Sequence, residues 1–277
     1  MAFEHPGDGA LDYCPCRYGR SKQSFRGPRK ALDAPYVAFL GGTETYGRFV
    51  EVPFPELTER ATGYRAVNLG CVNGGIDLYV QDPELLGIAT GARLTVIQAM
   101  GAQNLSNRFY TVHPRRNDRF IGVSPAMKSA FPAVDFTDFA FTGHLLASLL
   151  RQCPAQFDLI VDELKSAWLA RMRQLIDQIH GPIVLLWIGT SAPTAGGCGL
   201  PDPLSGPAFV DRYMIDELRP LVDDWVIGVA GAETRDDALA GLGYADIEAP
   251  AAARAANVPL HRQVTASLSP VVARILE

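Results

Sequence analysis

Long apolar runs, an even set of cysteines and a leader pattern are all missing from this sequence. The longest uninterrupted apolar run covers residues 183–188, far short of the roughly 20 residues that a membrane-spanning helix needs. Residues 1–19 show no basic start followed by an apolar stretch, so no secretory signal is expected. The five cysteines are an odd number in a chain of 277 residues, which is large enough to fold without disulfides. We therefore expect a cytoplasmic protein.

Patterns for binding nucleic acids, metals and nucleotides are also scarce. The 25 basic and 30 acidic residues give a net charge of −5, which argues against a general nucleic-acid-binding protein. Cys14 and Cys16 are separated by one residue, a spacing too short for a zinc knuckle, and no second pair follows. The chain has no Walker-type phosphate loop, and no Gly-x-Gly-x-x-Gly motif follows a predicted strand. We expect no metal, no cofactor, and neither nucleic acid nor a membrane as partner.

Short apolar segments alternate with helical patterns along most of the chain. Strands are predicted over residues 36–40, 65–69, 94–100, 183–188 and 225–229. Strands separated by helices imply right-handed crossovers and a mostly parallel sheet that is covered on both faces. The sequence therefore predicts an α/β fold, a three-layer αβα sandwich with a flavodoxin-like, five-stranded sheet. Asp82 and Pro83 are typical of a helix start, and a closing helix is predicted over residues 261–276.

Two segments lie outside this alternation. Residues 1–34 have no apolar periodicity and form a basic N-terminal arm. Residues 108–142 are aromatic and charged without a clear period, which indicates an insertion over the sheet. We expect a single α/β domain over residues 35–277, with a division into two domains near Arg151 as the alternative.

Glycines and neutral polar residues follow the first three predicted strands. In open α/β sheets, ligands bind beyond the carboxyl ends of the strands, where the strand order reverses. Glycine permits close approach of the backbone, and Thr, Asn and Gln supply uncharged hydrogen bonds. These strand ends predict a polar pocket, the alternative being three ordinary turns. The residues concerned are Gly42, Thr43, Gly70, Asn73, Gly74, Gln103 and Asn104.

The order of these motifs resembles that of the SGNH (GDSL-type) hydrolases, a superfamily of esterases, lipases and carbohydrate O-acyl hydrolases. Residues 41–43, Gly-Gly-Thr, resemble the Gly-Asp-Ser motif that follows the first strand in that superfamily. Asn68, Gly70 and Gly74 resemble its Asn-x-Gly…Gly segment after the second strand. The likeness touches most of the chain through short motifs. The chain also resembles members of an uncharacterised bacterial family.

Later motifs continue the resemblance, with departures. Residues 101–104, Gly-Ala-Gln-Asn, resemble the Gly-x-Asn-Asp motif, and His261 resembles the late histidine before the last helix. Thr43 replaces the serine of the superfamily, and Gly42 replaces its aspartate. Val258 stands three residues before His261, where the superfamily has an acid.

The resemblance implies a hydrolase or acyltransferase that acts on an ester-linked acyl group of a carbohydrate or an anionic small molecule. Thr43 would attack the carbonyl, and His261 would accept its proton. The oxyanion would be held by the backbone N–H groups of Thr43 and Gly70 with the side chain of Asn104 or Gln103.

Four arginines in the predicted insertion indicate an anionic ligand, because guanidinium groups suit phosphate, sulfate and carboxylate. Salt bridges to Asp135, Asp138 and Asp162 are the alternative. Two further functions stay open: a transferase for an anionic substrate, and a non-catalytic small-molecule-binding protein that has lost the triad. A homo-oligomer is also open. The four arginines are Arg108, Arg115, Arg116 and Arg119.

Overall fold

The protein contains a parallel sheet of five strands and a separate antiparallel hairpin. The computed structural model describes residues 9–197, 199–200, 206–229 and 239–277, so Cys198 and the first eight residues of the arm lie outside the described residues. Within the sheet every neighbouring pair is parallel, in the order β2-β1-β3-β6-β7. The strands are β1 (Tyr36–Leu40), β2 (Arg65–Asn68), β3 (Leu94–Gln98), β4 (Tyr110–His113), β5 (Arg116–Val123), β6 (Ile183–Gly189) and β7 (Asp224–Val229).

Helices cover both faces of the sheet, which confirms the predicted three-layer α/β sandwich. On one face, the core joins sheet residues to Phe54 of α2 and to the apolar stripe of α10. The other face packs against α3, α4, α7 and α8, with Trp168 fully buried. The helices are α1 (Thr43–Tyr46), α2 (Phe54–Thr62), α3 (Ile76–Val80), α4 (Pro83–Gly91), α5 (Pro125–Ala130), α6 (Thr142–Gln152), α7 (Pro154–Asp177), α8 (Arg212–Leu218), α9 (Ala249–Ala252) and α10 (Val258–Leu276).

The strand order creates a crevice between two neighbouring strands. From β1 the chain crosses to β2 on one side, and it then returns to place β3 on the other side of β1. The loops that leave β1 and β3 therefore diverge, and the crevice between them is the expected ligand site of a flavodoxin-like sheet.

The predicted strands and the capped helix are confirmed, while one segment and the start of the last helix differ. Asp82 caps α4 through its side chain, which accepts hydrogen bonds from the backbone N–H groups of Glu84 and Leu85. The segment without a clear period contains the β4–β5 hairpin and α5. The sequence of this segment shows no alternation of apolar and polar residues, because β5 buries a polar residue, Asn117. The last helix begins at Val258, because Asn257 caps it and accepts from the N–H of Leu260.

The described part of the arm, residues 9–34, packs against the domain without regular secondary structure beyond one bridge between Cys16 and Phe25. Tyr18 and Phe25 are buried in the core. Arg26 donates to the carbonyl oxygen of Gly47, at the end of α1. The arm therefore supports the turn that follows β1. No helix in the described ranges has both the length and the apolar character needed to cross a bilayer.

Candidate functional site

A cavity of about 580 Å³ opens at the carboxyl ends of β1 and β3, and we call it the switch-point cavity. It collects residues from the ends of three strands, as the strand-end motifs predict. Six of the predicted site residues line it: Gly42, Thr43, Asn73, Gly74, Gln103 and Asn104. Its wall also includes Glu44, Arg48, Gln98 and the segment of residues 254–256.

Thr43 lies at the start of α1, where its hydroxyl contacts the loop that follows β2. The Oγ1 atom accepts a hydrogen bond from the backbone N–H of Asn73 at 2.9 Å. The carbonyl oxygen of Asn73 in turn accepts from Nδ2 of Asn104 at 3.3 Å. Asn73 has a φ of 55°, the left-handed region that asparagine tolerates. Three strand ends are thus joined through one residue.

Gln98, the last residue of β3, holds the turn after β1 in place. Its buried Oε1 accepts from the N–H of Gly42 at 3.0 Å, the N–H of Thr45 at 3.3 Å and the hydroxyl of Thr45 at 2.6 Å. Its Nε2 donates to Oε2 of Glu44 at 2.7 Å. Sequence reasoning missed this residue. The available signal was a glutamine at the end of an apolar strand. Burying an amide is costly unless it is hydrogen-bonded, so a glutamine in this position predicts a structural hydrogen-bonding role.

Glu44 is the single acid among the described residues that line the switch-point cavity. One of its carboxylate oxygens accepts the hydrogen bond from Gln98, and the side chain is half-buried. Arg48 is paired with Glu248 at 3.0 Å. Arg254 is exposed and has no ion-pair partner in the described part of the chain. The described part of the cavity wall therefore offers one carboxylate and one guanidinium without an ion pair.

The two amides after β3 differ in how they are held. Oδ1 of Asn104 accepts from the hydroxyl of Thr142 at 2.8 Å, so the orientation of this amide is set by hydrogen bonds at both ends. The side-chain oxygen of Gln103 is buried and has no hydrogen-bond partner among the described residues. Buried polar atoms normally have partners, so a bound ligand or water is the natural donor to this oxygen.

His261 lies away from the switch-point cavity, in the first turn of α10, and is 2% exposed. Its Nδ1 accepts from the backbone N–H of Phe54 at 3.0 Å, and its ring stacks on the Phe54 ring with centroids 5.8 Å apart. Burial, with a smaller effect from the charge of Arg26, lowers the pKa of His261 to about 3. No hydrogen bond joins it to Thr43 within the described residues. The structure does not form the expected Thr43–His261 pair.

The segment directly before the last helix is Arg254, Ala255, Ala256 and Asn257, because α10 begins three residues before His261. The first three of these residues line the switch-point cavity. The resemblance places a histidine in this region, and the chain has none there.

The buried imidazole should make folding stability sensitive to acid. The pKa of His261 is lowered from 6.5 to about 3 in the folded protein, so the unfolded state binds the proton first as the pH falls. Stability from this group is complete above pH 6.5 and is lost by about 1.4 kcal/mol per pH unit below it. Urea unfolding from pH 7 to 5 should show this slope, and it should be flatter in His261→Phe. An equal slope in both proteins would assign the acid sensitivity to other groups.

Gly70 is a close-packing glycine and does not line the switch-point cavity. Its backbone N–H already donates to Oδ1 of Asn68 at 2.9 Å. A Cβ atom at this position would come within 2.2 Å of the backbone nitrogen of Tyr46 in α1. Gly70 therefore lets α1 lie against the end of β2, and its N–H is not free to bind an oxyanion.

The predicted anion-binding arginines lie outside the switch-point cavity. Arg108 is paired with Glu163 at 3.3 Å and lies over the ring of Phe109. Arg115, Arg116 and Arg119 line a second groove together with Lys22 and His113. In the described residues, no ion pair links these arginines to Asp135, Asp138 or Asp162. No cluster of three or more His, Cys, Asp or Glu side chains arranged for a metal ion occurs in the described ranges.

Comparisons with known proteins place the chain in a family without assigning a reaction. No curated protein matches it. A solved structure of a gut microbial diltiazem-metabolizing enzyme is similar, with 11% sequence identity and a TM-score of 0.33. That match covers 72% of this chain and 38% of the enzyme, so the chain spans well under half of the enzyme's length. The family that matches, over residues 1–276, is described as a domain of unknown function, and this chain belongs to that family, DUF6473.

Proposed function

We propose that this chain is an SGNH-like enzyme that cleaves or transfers an ester-linked acyl group of a small molecule in the switch-point cavity. One observation carries the proposal: a threonine hydroxyl, a carboxylate and amides from two other strand ends line the same cavity. An acyl-transfer site needs a nucleophile, a proton acceptor and hydrogen-bond donors to the carbonyl oxygen. Each is available here from residues of this chain.

Thr43 is the proposed nucleophile and Glu44 the proposed base, in place of His261. The Thr43 oxygen attacks the carbonyl carbon of the ester, and its proton passes to the Glu44 carboxylate. The tetrahedral intermediate then expels the alcohol, which takes up that proton. Water, or an acceptor alcohol in a transfer reaction, attacks the acyl-threonine in the same way and restores both residues. An alcohol is a weak nucleophile without such a base.

Two donors can hold the developing oxyanion. Nδ2 of Asn104 carries two hydrogens, and one of them is used in the bond to Asn73. The backbone N–H of Thr43 is the first of α1, where no intrahelical acceptor exists. Loss of one oxyanion donor typically lowers turnover by about 10²–10³-fold.

Hydrolysis of short p-nitrophenyl or naphthyl esters tests the proposal. Thr43→Ala should reduce turnover to the background rate, Thr43→Ser should retain it, and Glu44→Gln should lower it at least about 100-fold. Thr111→Ala is a matched control, because Thr111 is exposed on β4 and lies outside the cavity.

His261→Phe separates this mechanism from a histidine-dependent one. Turnover that survives in folded His261→Phe protein supports Glu44 as the base, whereas loss of turnover with a normal near-ultraviolet spectrum would contradict it. Equal rates in wild type, Thr43→Ala and buffer would remove the enzyme proposal.

A non-catalytic binding protein is the second candidate, and two observations favour it. His261 is outside the cavity, and Arg254 lies in the cavity wall without an acid partner among the described residues. This function predicts that succinate raises the melting temperature without any ester turnover. The stabilisation should disappear in Arg254→Gln and persist in Arg262→Gln, an exposed arginine outside the cavity. Stabilisation that is equal in both variants would exclude Arg254 as the anion-binding residue.

A further inference from the structure

The structure contains a second concave surface with a strong positive charge, which we call the basic groove. It has a volume of about 790 Å³, and its wall includes Lys22 of the arm and three arginines of the β4–β5 hairpin. No acidic residue is among the described residues that line it. In a chain of net charge −5, this concentration of positive charge is a local feature. The cations are Lys22, Arg115, Arg116 and Arg119, with His113 beside them.

The cationic groups of the basic groove are available to a ligand. Arg115 and Arg116 are exposed, and within the described residues neither guanidinium has an ion-pair or hydrogen-bond partner. Arg119 is held over the ring of Phe141, with its guanidinium carbon 4.6 Å from the ring centroid. Asp118, the acid between these arginines in the sequence, does not line the groove, and its Oδ2 accepts from Nδ2 of Asn73.

The hairpin presents these side chains from a supported backbone. Buried Asn117 of β5 donates to the carbonyl oxygen of His113 at 3.1 Å and accepts from the N–H of Gly75 at 2.8 Å. Nδ1 of His113 accepts from the N–H of Arg115 at 3.2 Å. The turn that carries Arg115 and Arg116 is therefore tied to the loop after β2.

That same loop separates the basic groove from the switch-point cavity. Cys71 and Val72 line the groove, while the next two residues, Asn73 and Gly74, line the cavity. Burial raises the pKa of the Cys71 thiol to about 12, so this thiol stays protonated and unreactive. The groove therefore offers ion pairing beside a separate site that offers a nucleophile.

We propose that the basic groove binds a phosphate or sulfate group of a small molecule whose other end reaches the switch-point cavity. Guanidinium forks recognise these tetrahedral anions through paired hydrogen bonds, and Arg115, Arg116 and Arg119 line this groove. The proposal of an anion site depends only on the residues that line the groove. Its link to a reacting acyl end rests on the proposed function of the cavity.

Isothermal titration with inorganic pyrophosphate tests the anion site. We expect saturable binding to the full chain that weakens as salt is added, and a dissociation constant at least about tenfold higher in Arg115→Gln/Arg116→Gln. Arg93→Gln/Arg262→Gln is the matched control. It removes the same charge from exposed arginines outside both concave surfaces and should stay near the wild-type affinity.

Further measurements test the anion site independently of the proposed reaction and distinguish a small ligand from a polyanion. Thr43→Ala should bind pyrophosphate as wild type does, and Arg115→Gln/Arg116→Gln should still hydrolyse short neutral esters. No saturable binding to wild type, or equal weakening in both double variants, overturns the anion site. Affinity that keeps rising with the length of a polyphosphate chain would overturn the small-molecule assignment and indicate an extended polyanion instead.

Discussion

Replacing Gln98 by leucine is expected to lower the free energy of unfolding by about 3–5 kcal/mol and to abolish the ester turnover and ligand binding that we propose for the switch-point cavity. Three donors lose their acceptor in this variant: the N–H of Gly42, the N–H of Thr45 and the Thr45 hydroxyl. Each buried donor left without a partner costs about 1–3 kcal/mol. The turn that carries Thr43 and Glu44 also loses its support. The oxygen of the Gln98 amide accepts from the backbone of this turn, and its nitrogen donates to the Glu44 carboxylate.

Urea unfolding of Gln98→Leu, with Gln263→Leu as the control variant, measures this loss of stability. Gln263 is exposed on α10, and its side chain has no hydrogen bond in the described part of the protein, so its substitution should change stability by less than about 0.5 kcal/mol. Gln98→Glu keeps acceptor oxygens but sets a second carboxylate against Glu44, and it should disrupt the turn as well. A Gln98→Leu protein within 1 kcal/mol of wild type, with turnover intact, would show that the amide does not hold this turn.

Gly70→Ala is expected to lower the free energy of unfolding by about 3 kcal/mol or more, because the added methyl group meets backbone rather than a flexible side chain. It would lie 2.2 Å from the nitrogen of Tyr46 and 2.6 Å from the carbonyl carbon of Thr45. Neither atom can move without displacing α1 from the end of β2. The displaced helix carries Thr43, so turnover should fall together with stability.

Gly87→Ala is the matched control for this substitution. Gly87 lies inside α4, and apart from its chain neighbours and the backbone of its own helix no described atom lies within 4 Å of the position of its added Cβ. Alanine is the better helix former, so this variant should gain up to about 1 kcal/mol. Alanine at position 70 keeps the backbone N–H, so a loss of function there reports packing and not a missing donor. A Gly70→Ala protein with unchanged stability would contradict the close contact with α1.

Much of the fold could be predicted because its signals are local. Residues 183–188 are continuously apolar, and all of β6 is buried, as a central parallel strand requires. Asp82 and Pro83 predict a helix start that the structure confirms. The β4–β5 hairpin was missed because a buried asparagine and exposed arginines break its apolar alternation. Its support comes from hydrogen bonds to residues outside the hairpin, which no local pattern records.

The site shows the same division between local and distant causes. Glycine and amide residues after β1, β2 and β3 could be grouped because parallel strands bring their carboxyl ends to one edge. His261 could not be placed correctly, because its burial depends on Phe54, which is 207 positions earlier in the chain. Gly70 has the residue type expected of an oxyanion donor, but its N–H is taken by Asn68 two residues away.

Hydrophobic periodicity and turn chemistry were sufficient to predict the α/β class and the parallel sheet, because these properties depend on neighbours along the chain. Which side chains share a cavity depends on contacts between distant segments. Packing joined Gln98 to Glu44, buried His261 beneath α2, and placed the hairpin arginines in a groove of their own. Those pairings follow from the way complete helices and strands fit together, and a motif at one position carries no information about the side chain that will face it.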